Sequence, residues 1–143
     1  MTGTTARRAR LLRLRTIEHR IAKAKLARAD ATLVNLERIA GRIAALKNGL
    51  GAGVGGTSGM ALKAMTEMSI RLDAAQIGMT APIDEAEARR AEFNALRIAA
   101  QHKEDGAGKL HDKAATSEAS ARDLRADANR PHRKRNAFLE SHT

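Results

Sequence analysis

Between Arg7 and Asn48 the chain contains no proline and a single glycine, Gly41, and strong helix formers dominate it. At ~1.5 Å per residue a helix over 7–48 runs roughly 60 Å, deeper than the interior of any small globule. Such a helix has to find its stability along its length, against another helix. Composition says how thin that contact must be. The chain has 143 residues, room for one domain, and is 43% hydrophobic, but 30 of those residues are alanine and only 31 are Leu, Ile, Val, Met or Phe. There is no Trp or Tyr, and the two phenylalanines are Phe93 and Phe138. Large apolar side chains build thick cores; this chain predicts a narrow seam, as in long helices and coiled coils.

Glycines 49, 51, 53, 55, 56 and 59 then crowd one short stretch. That density gives up too much backbone entropy for a helix and predicts a loop over 49–59. Gly51, Gly53 and Gly56 match the letters of a dinucleotide fingerprint, but no strand precedes them, so the phosphate-cradle reading fails. A second helical stretch follows at about 60–77, a break at 78–82 around Pro82, and a third at about 83–129 that Pro131 ends. The remaining residues, 130–143, form a basic tail. Ala61, Met65, Met68, Leu72, Ala75 and Met79 recur every three or four residues. Strict heptads continue through Ala86, Arg89, Phe93, Leu96, Ala100, Lys103, Ala107 and Leu110 to Ala128. On the outgoing helix Leu14, Ile17 and Ile21 share one spacing and Leu36, Ile39, Ile43, Leu46 and Leu50 another. The fifteen residues between Ile21 and Leu36 are not whole heptads, which predicts a stutter. The expected fold is all-α, a long antiparallel two-helix coiled-coil hairpin with a Gly-rich turn and a kinked return arm. Because the return arm is the longer, part of it must overhang or meet another chain.

The net charge of +10 is concentrated at the two ends. Residues 1–25 carry eight basic side chains against Glu18, and Arg130, Arg133, Lys134 and Arg135 crowd the other end. Folding the chain back on itself unites them in one basic pole, attractive to polyanions, acidic protein surfaces or anionic lipid. The bland counterpart is a solvated helix end that keeps the protein soluble.

Chemistry is hard to place on such a chain. Without cysteine there is no disulfide, thiolate or Cys-bound metal. His19, His102, His111, His132 and His142 offer no H-E-x-x-H spacing, and paired acids such as Asp84/Glu85 sit where water reaches them. No concave site is expected to assemble a nucleophile and a base. The reading is a non-enzyme with no cofactor and no small-molecule substrate. No apolar run is long enough for a membrane span, and the Arg-rich opening continues without a break into the helix, which favours a helix start over a targeting peptide. Met65, Met68 and Met79 suit seam packing first and an adaptable binding surface second. Arg7, Arg8, Arg10, Arg13 and Arg15, interleaved with Leu11, Leu12 and Leu14, suit either a surface-seeking helix or a phosphate-binding arm. Nucleic-acid binding rests on charge alone, since stacking aromatics and groove-reading motifs are lacking.

In its size, its Arg10-Leu11-Leu12-Arg13-Leu14-Arg15 helix start, its mid-chain break and its long return helix with a basic tail, the chain resembles the FliJ family, soluble stalk proteins of the flagellar type III export apparatus. The resemblance covers nearly the whole chain and rests on architecture and composition. It implies a two-helix coiled coil whose joined ends enter a hexameric export ATPase, with further contacts to a membrane export gate component and to export chaperones. It implies a cytoplasmic protein peripherally associated with the membrane at the flagellar base. Mapped here, the ATPase-facing pole would be Arg7, Arg8, Arg10, Arg13, Arg15, Arg122, Arg125 and Arg130, and the gate-facing surface Met65, Met68, Leu72, Met79 and Phe93. Two alternatives stand beside it: a nonspecific nucleic-acid-associated basic coiled coil, and a structural coiled-coil subunit of another secretion system, whose physics is that of the stalk.

Overall fold

The structure, a computed structural model, describes residues 3–51 and 58–131. These are helical except for Ser58, Met79 and residues 129–131. Helix α1 spans Gly3–Gly51, α2 Gly59–Gly78 and α3 Thr80–Ala128. The fold is all-α, with outgoing and returning helices paired antiparallel. Six residues of the expected loop, 52–57, and most of the expected tail, 132–143, lie outside the described residues.

Each helix end has a local cause. Gly49 and Gly51 remain helical where a loop was expected, because Leu50 between them is half-buried and holds the last turn; an isolated helical glycine costs only about 1 kcal/mol. Ser58 caps α2, its hydroxyl accepting from the Ala61 amide at 3.3 Å. The expected break at 78–82 narrows to one residue. Met79 keeps right-handed helical angles (φ −80°, ψ −17°). Its amide donates to the Ala75 carbonyl at 3.1 Å, and its own carbonyl accepts from Ile83 at 3.2 Å. Proline 82 has no N–H, so the Gly78 carbonyl loses its i+4 donor and the hydrogen-bond ladder is interrupted there. Thr80–Pro82 form the first turn of α3, where a missing N–H costs least.

The chain divides into two compact units, Arg15–Glu104 and Met1–Leu14 with Asp105–Thr143. In the first, Lys47 pairs with Asp73, Asp30 with Arg90 at 2.5 Å, and His19 with Glu104. The residue numbers of these pairs sum to 120, 120 and 123, which is an antiparallel register without slippage. In the second, the Thr5 hydroxyl donates to Glu118 Oε2 at 2.6 Å and Arg8 Nη1 to the Leu110 carbonyl at 2.9 Å, again antiparallel.

Burial corrects the seam. Within Arg15–Glu104 the inward positions of α1 are His19, Ala22, Leu26, Ala29, Leu33, Leu36, Ala40, Ile43, Lys47 and Leu50, alternating three and four residues without interruption. The expected stutter is absent. It arose from following Ile17 and Ile21, which are 53% and 51% exposed, instead of His19 and Leu26. Returning, Leu72, Met79, Ala86, Phe93 and Ala100 do face inward, but Met68, Ala75, Arg89, Leu96 and Lys103 face solvent. Ser69, Arg97 and Glu104 take the places of Met68, Leu96 and Lys103, and Ile83 turns inward on the same side. The apolar stripe of the return arm is therefore covered on one flank only. In the other unit the same offset leaves Leu110 and Leu124 exposed while His111 and Glu118 turn inward.

The result is thin. Among the described residues the buried apolar side chains are Ala29, Leu33 and Ala107. Leu33, 6% exposed, is the one large aliphatic of the three, and its truncation leaves a cavity that alanine neighbours cannot close. Leu33→Ala should cost about 2–3 kcal/mol, whereas Leu46→Ala, at a 61% exposed position, should stay within about 0.5 kcal/mol. Thermal melts followed by circular dichroism at 222 nm check this; equal losses would contradict the assigned seam.

Candidate functional site

The unit formed by Met1–Leu14 and Asp105–Thr143 carries most of the basic pole. Seven of the eight arginines assigned to it lie here; Arg15 belongs to the other unit, where its guanidinium pairs with Glu18 at 2.7 Å. The seven are not equivalent. Arg8 turns inward to the Leu110 carbonyl, satisfying a second lone pair of a helical oxygen. Arg122 Nη2 donates to Glu118 Oε1 at 3.1 Å within α3, and Arg130, just past the end of α3, lies 3.5 Å from Asp127. Arg7, Arg10, Arg13 and Arg125 are exposed and have no ion-pair partner among the described residues. These four are the cations available to a ligand.

An open groove of about 490 Å³ runs between the two helices here, bounded by Thr5, Arg8, Glu118, Arg122 and Arg125, with Lys113 on its wall. Its floor is a fixed polar pair. Thr5 is 4% exposed, and Glu118 receives the Thr5 hydroxyl on one oxygen and Arg122 on the other. Glu118 is thus a positioning group: it neutralises Arg122 and ties the two helices together, leaving Arg125 and Lys113 facing out. Sequence reading missed Thr5, Lys113 and Glu118. Their meeting depends on pairing across a separation of 113 residues, and the only local signal was a carboxylate directly beside the heptad stripe.

The residues assigned to a gate-facing surface fare differently. Met65, Leu72, Met79 and Phe93 are half-buried at inward positions, and only Met68, 47% exposed, is displayed. They do not form an outward surface, because the register places this flank of the stripe against α1.

The tightest titratable cluster lies in the Arg15–Glu104 unit. His19 Nδ1 contacts Glu104 Oε2, and Thr16 also hydrogen-bonds the carboxylate. A ring nitrogen beside a carboxylate must carry the proton, which fixes the tautomer. His19 Nε2 is buried without a partner among the described residues, as is His111 Nδ1 in the other unit. No group of three His, Cys, Asp or Glu able to hold a metal occurs among the described residues, and no described helix is long and apolar enough to cross a membrane. No protein family, curated protein or solved structure matches this chain.

The hydrogen bond from His19 holds Glu104 below the usual carboxylate range, with Thr16 adding to it and partial desolvation opposing. A lowered carboxylate pKa means the native state resists protonation. The stabilisation is complete above the ordinary carboxylate pKa and is lost as the pH falls through the lowered one. Wild type should melt above Glu104→Gln at pH 7, and the gap should narrow as the pH falls below the ordinary carboxylate range and the carboxylate takes up its proton. A gap that stays unchanged throughout the acid range would remove the ionised Glu104 from the account.

Proposed function

We propose that this chain is a coiled-coil stalk and adaptor of the flagellar type III protein export apparatus, docking an acidic surface of a hexameric export ATPase through its basic pole and coupling that ATPase to an export gate and to chaperones. It works without catalysis, in the cytoplasm beside the membrane. The resemblance to the FliJ family supplies the partners. The observation that supports the reading is the unit in which α1 and α3 pair and display Arg7, Arg10, Arg13 and Arg125 without internal partners. The paired helices fix the backbone from which these arginines project, so binding a carboxylate-rich partner has only their side chains to order, and the guanidinium fork suits bidentate contacts.

The same cations support a second reading, association with nucleic acid, through phosphate neutralisation. It differs in having no geometric specificity: affinity would follow salt alone, with no dependence on which of the exposed arginines is kept.

The double variant Arg10→Glu/Arg13→Glu reverses two exposed charges without touching the seam. It should abolish swimming in the native host and weaken capture of the ATPase from nuclease-treated lysate by about tenfold, with the 222 nm signal unchanged. Arg15→Glu, outside the pole, should swim. Normal motility of the double variant would sink the stalk reading, and a flat duplex-DNA titration at physiological salt would sink the other.

A further inference from the structure

The groove on the unit formed by Met1–Leu14 and Asp105–Thr143 has a patterned floor. Leu110, Ala114, Ser117 and Ala121 of α3 all line it, and their spacing of four, three and four residues is that of a helix-packing stripe. Leu110 is 48% exposed, and three residues past Ala121 the stripe goes on to Leu124, 71% exposed. From Leu110 to Leu124 it runs roughly 21 Å or four helical turns, with a leucine at each end.

The charge around this floor is one-sided. Lys113 and Arg125 line the groove and are exposed, without an ion-pair partner among the described residues. Arg8 lines it too, with one nitrogen on the Leu110 carbonyl. Arg122 is the partner of Glu118, the one acid among the lining residues. The other described acids of the unit are Asp105, Asp112, Asp123 and Asp127, and none of them lines the groove. Asp105, Asp112 and Asp123 stand two residues from the inward Ala107, Ala114 and Ala121, on the far side of α3, and Asp127 pairs with Arg130.

Lys113 and Arg125 are roughly 18 Å apart along the axis of α3, too far to converge on one small anion such as phosphate. No aromatic side chain lines the groove, so the bases of a single strand find nothing to stack on. What fits is an extended ligand, apolar along one side and negative beside it. We propose that the groove seats a third helix, an acidic amphipathic segment of a partner protein. Its apolar side chains, three and four residues apart, pack between Leu110 and Leu124, and its carboxylates meet Lys113, Arg125 and the remaining N–H groups of Arg8. Charge complementarity selects this occupant: a basic helix in the same seat would face cations, with Glu118 already neutralised by Arg122. The inference deepens the docking to an acidic partner and rests on the export reading only for which protein carries the segment.

A labelled synthetic peptide of about four helical turns, leucine and alanine on one face and glutamate on the other, tests it by fluorescence anisotropy with the full chain at physiological salt. Saturable binding is expected. Lys113→Glu/Arg125→Glu should weaken it about tenfold. Lys25→Glu/Arg28→Glu, the same change of charge on the Arg15–Glu104 unit, should weaken it less than about threefold. A peptide with lysine in place of glutamate should prefer the Lys113→Glu/Arg125→Glu variant to wild type, which also answers for a variant that folds poorly. A flat wild-type titration overturns the proposal. So does an equal loss in both variants, or equal binding of a peptide with the same composition and no helical period, because either leaves charge alone as the cause. Neither the ATPase nor swimming enters this test, so its failure leaves the export reading standing, and loss of that reading leaves the groove's affinity for the peptide unchanged.

Discussion

A seam of alanines brings two helices close but does not tell them where to stop. One heptad looks much like the next along Ala100, Ala107, Ala114 and Ala121, and sliding by seven residues there would replace alanine with alanine. What fixes the register is the set of polar contacts across the arms: Asp30 with Arg90, Lys47 with Asp73, His19 with Glu104, and Thr5 with Glu118. A shift of one heptad sets Asp30 opposite residue 83 or 97 and separates every pair. Such contacts contribute little net stability where water reaches them, but they penalise the wrong alignment, which is the best attested use of polar groups in coiled coils. The rest of the structure, including which side chains face out, follows from that alignment.

This explains what could be read from the sequence and what could not. Helix extents and the interruption at Pro82 are local chemistry, and they were legible to within a few residues. So was the apolar stripe of the return arm, from Met65 through Phe93 to Ala121. A stripe of residues d and g looks the same as a stripe of a and d, because both repeat every seven. Only the partner decides which neighbour of the d position goes inside. The large residues Leu96, Leu110 and Leu124 argued for one flank, whereas α1 took the other, where Arg97, Glu104, His111 and Glu118 could meet its polar groups. Following size led to an outward Leu96 and to a stutter that the inward series His19, Ala22, Leu26, Ala29, Leu33 does not contain.

The same offset separates the side chains available for function from those committed to the fold. Eight arginines looked equivalent as a charge run, yet Arg8 serves a carbonyl, and Arg15, Arg122 and Arg130 are held by carboxylates three or four residues away in the chain. Arg7, Arg10, Arg13 and Arg125 remain. Charge counting alone gives the sign of the pole; only the pairing gives the number of cations it can offer.

Placing aliphatics beside the seam also changes what the protein needs from its surroundings. A two-stranded coil requires apolar side chains at two positions in seven, and a helix with a third apolar position per heptad belongs to a larger bundle. The return arm has that third position filled at Met68, Leu96, Leu110 and Leu124, and the outgoing arm at Leu11, Ile39 and Leu46, all exposed. With so few fully buried apolar side chains, these rows hold a large part of the aliphatic surface that the pairing of the two arms leaves open. The register that closes the hairpin is thus also what leaves its larger side chains outside it, so the exposed apolar surface is a consequence of the polar contacts that align the arms.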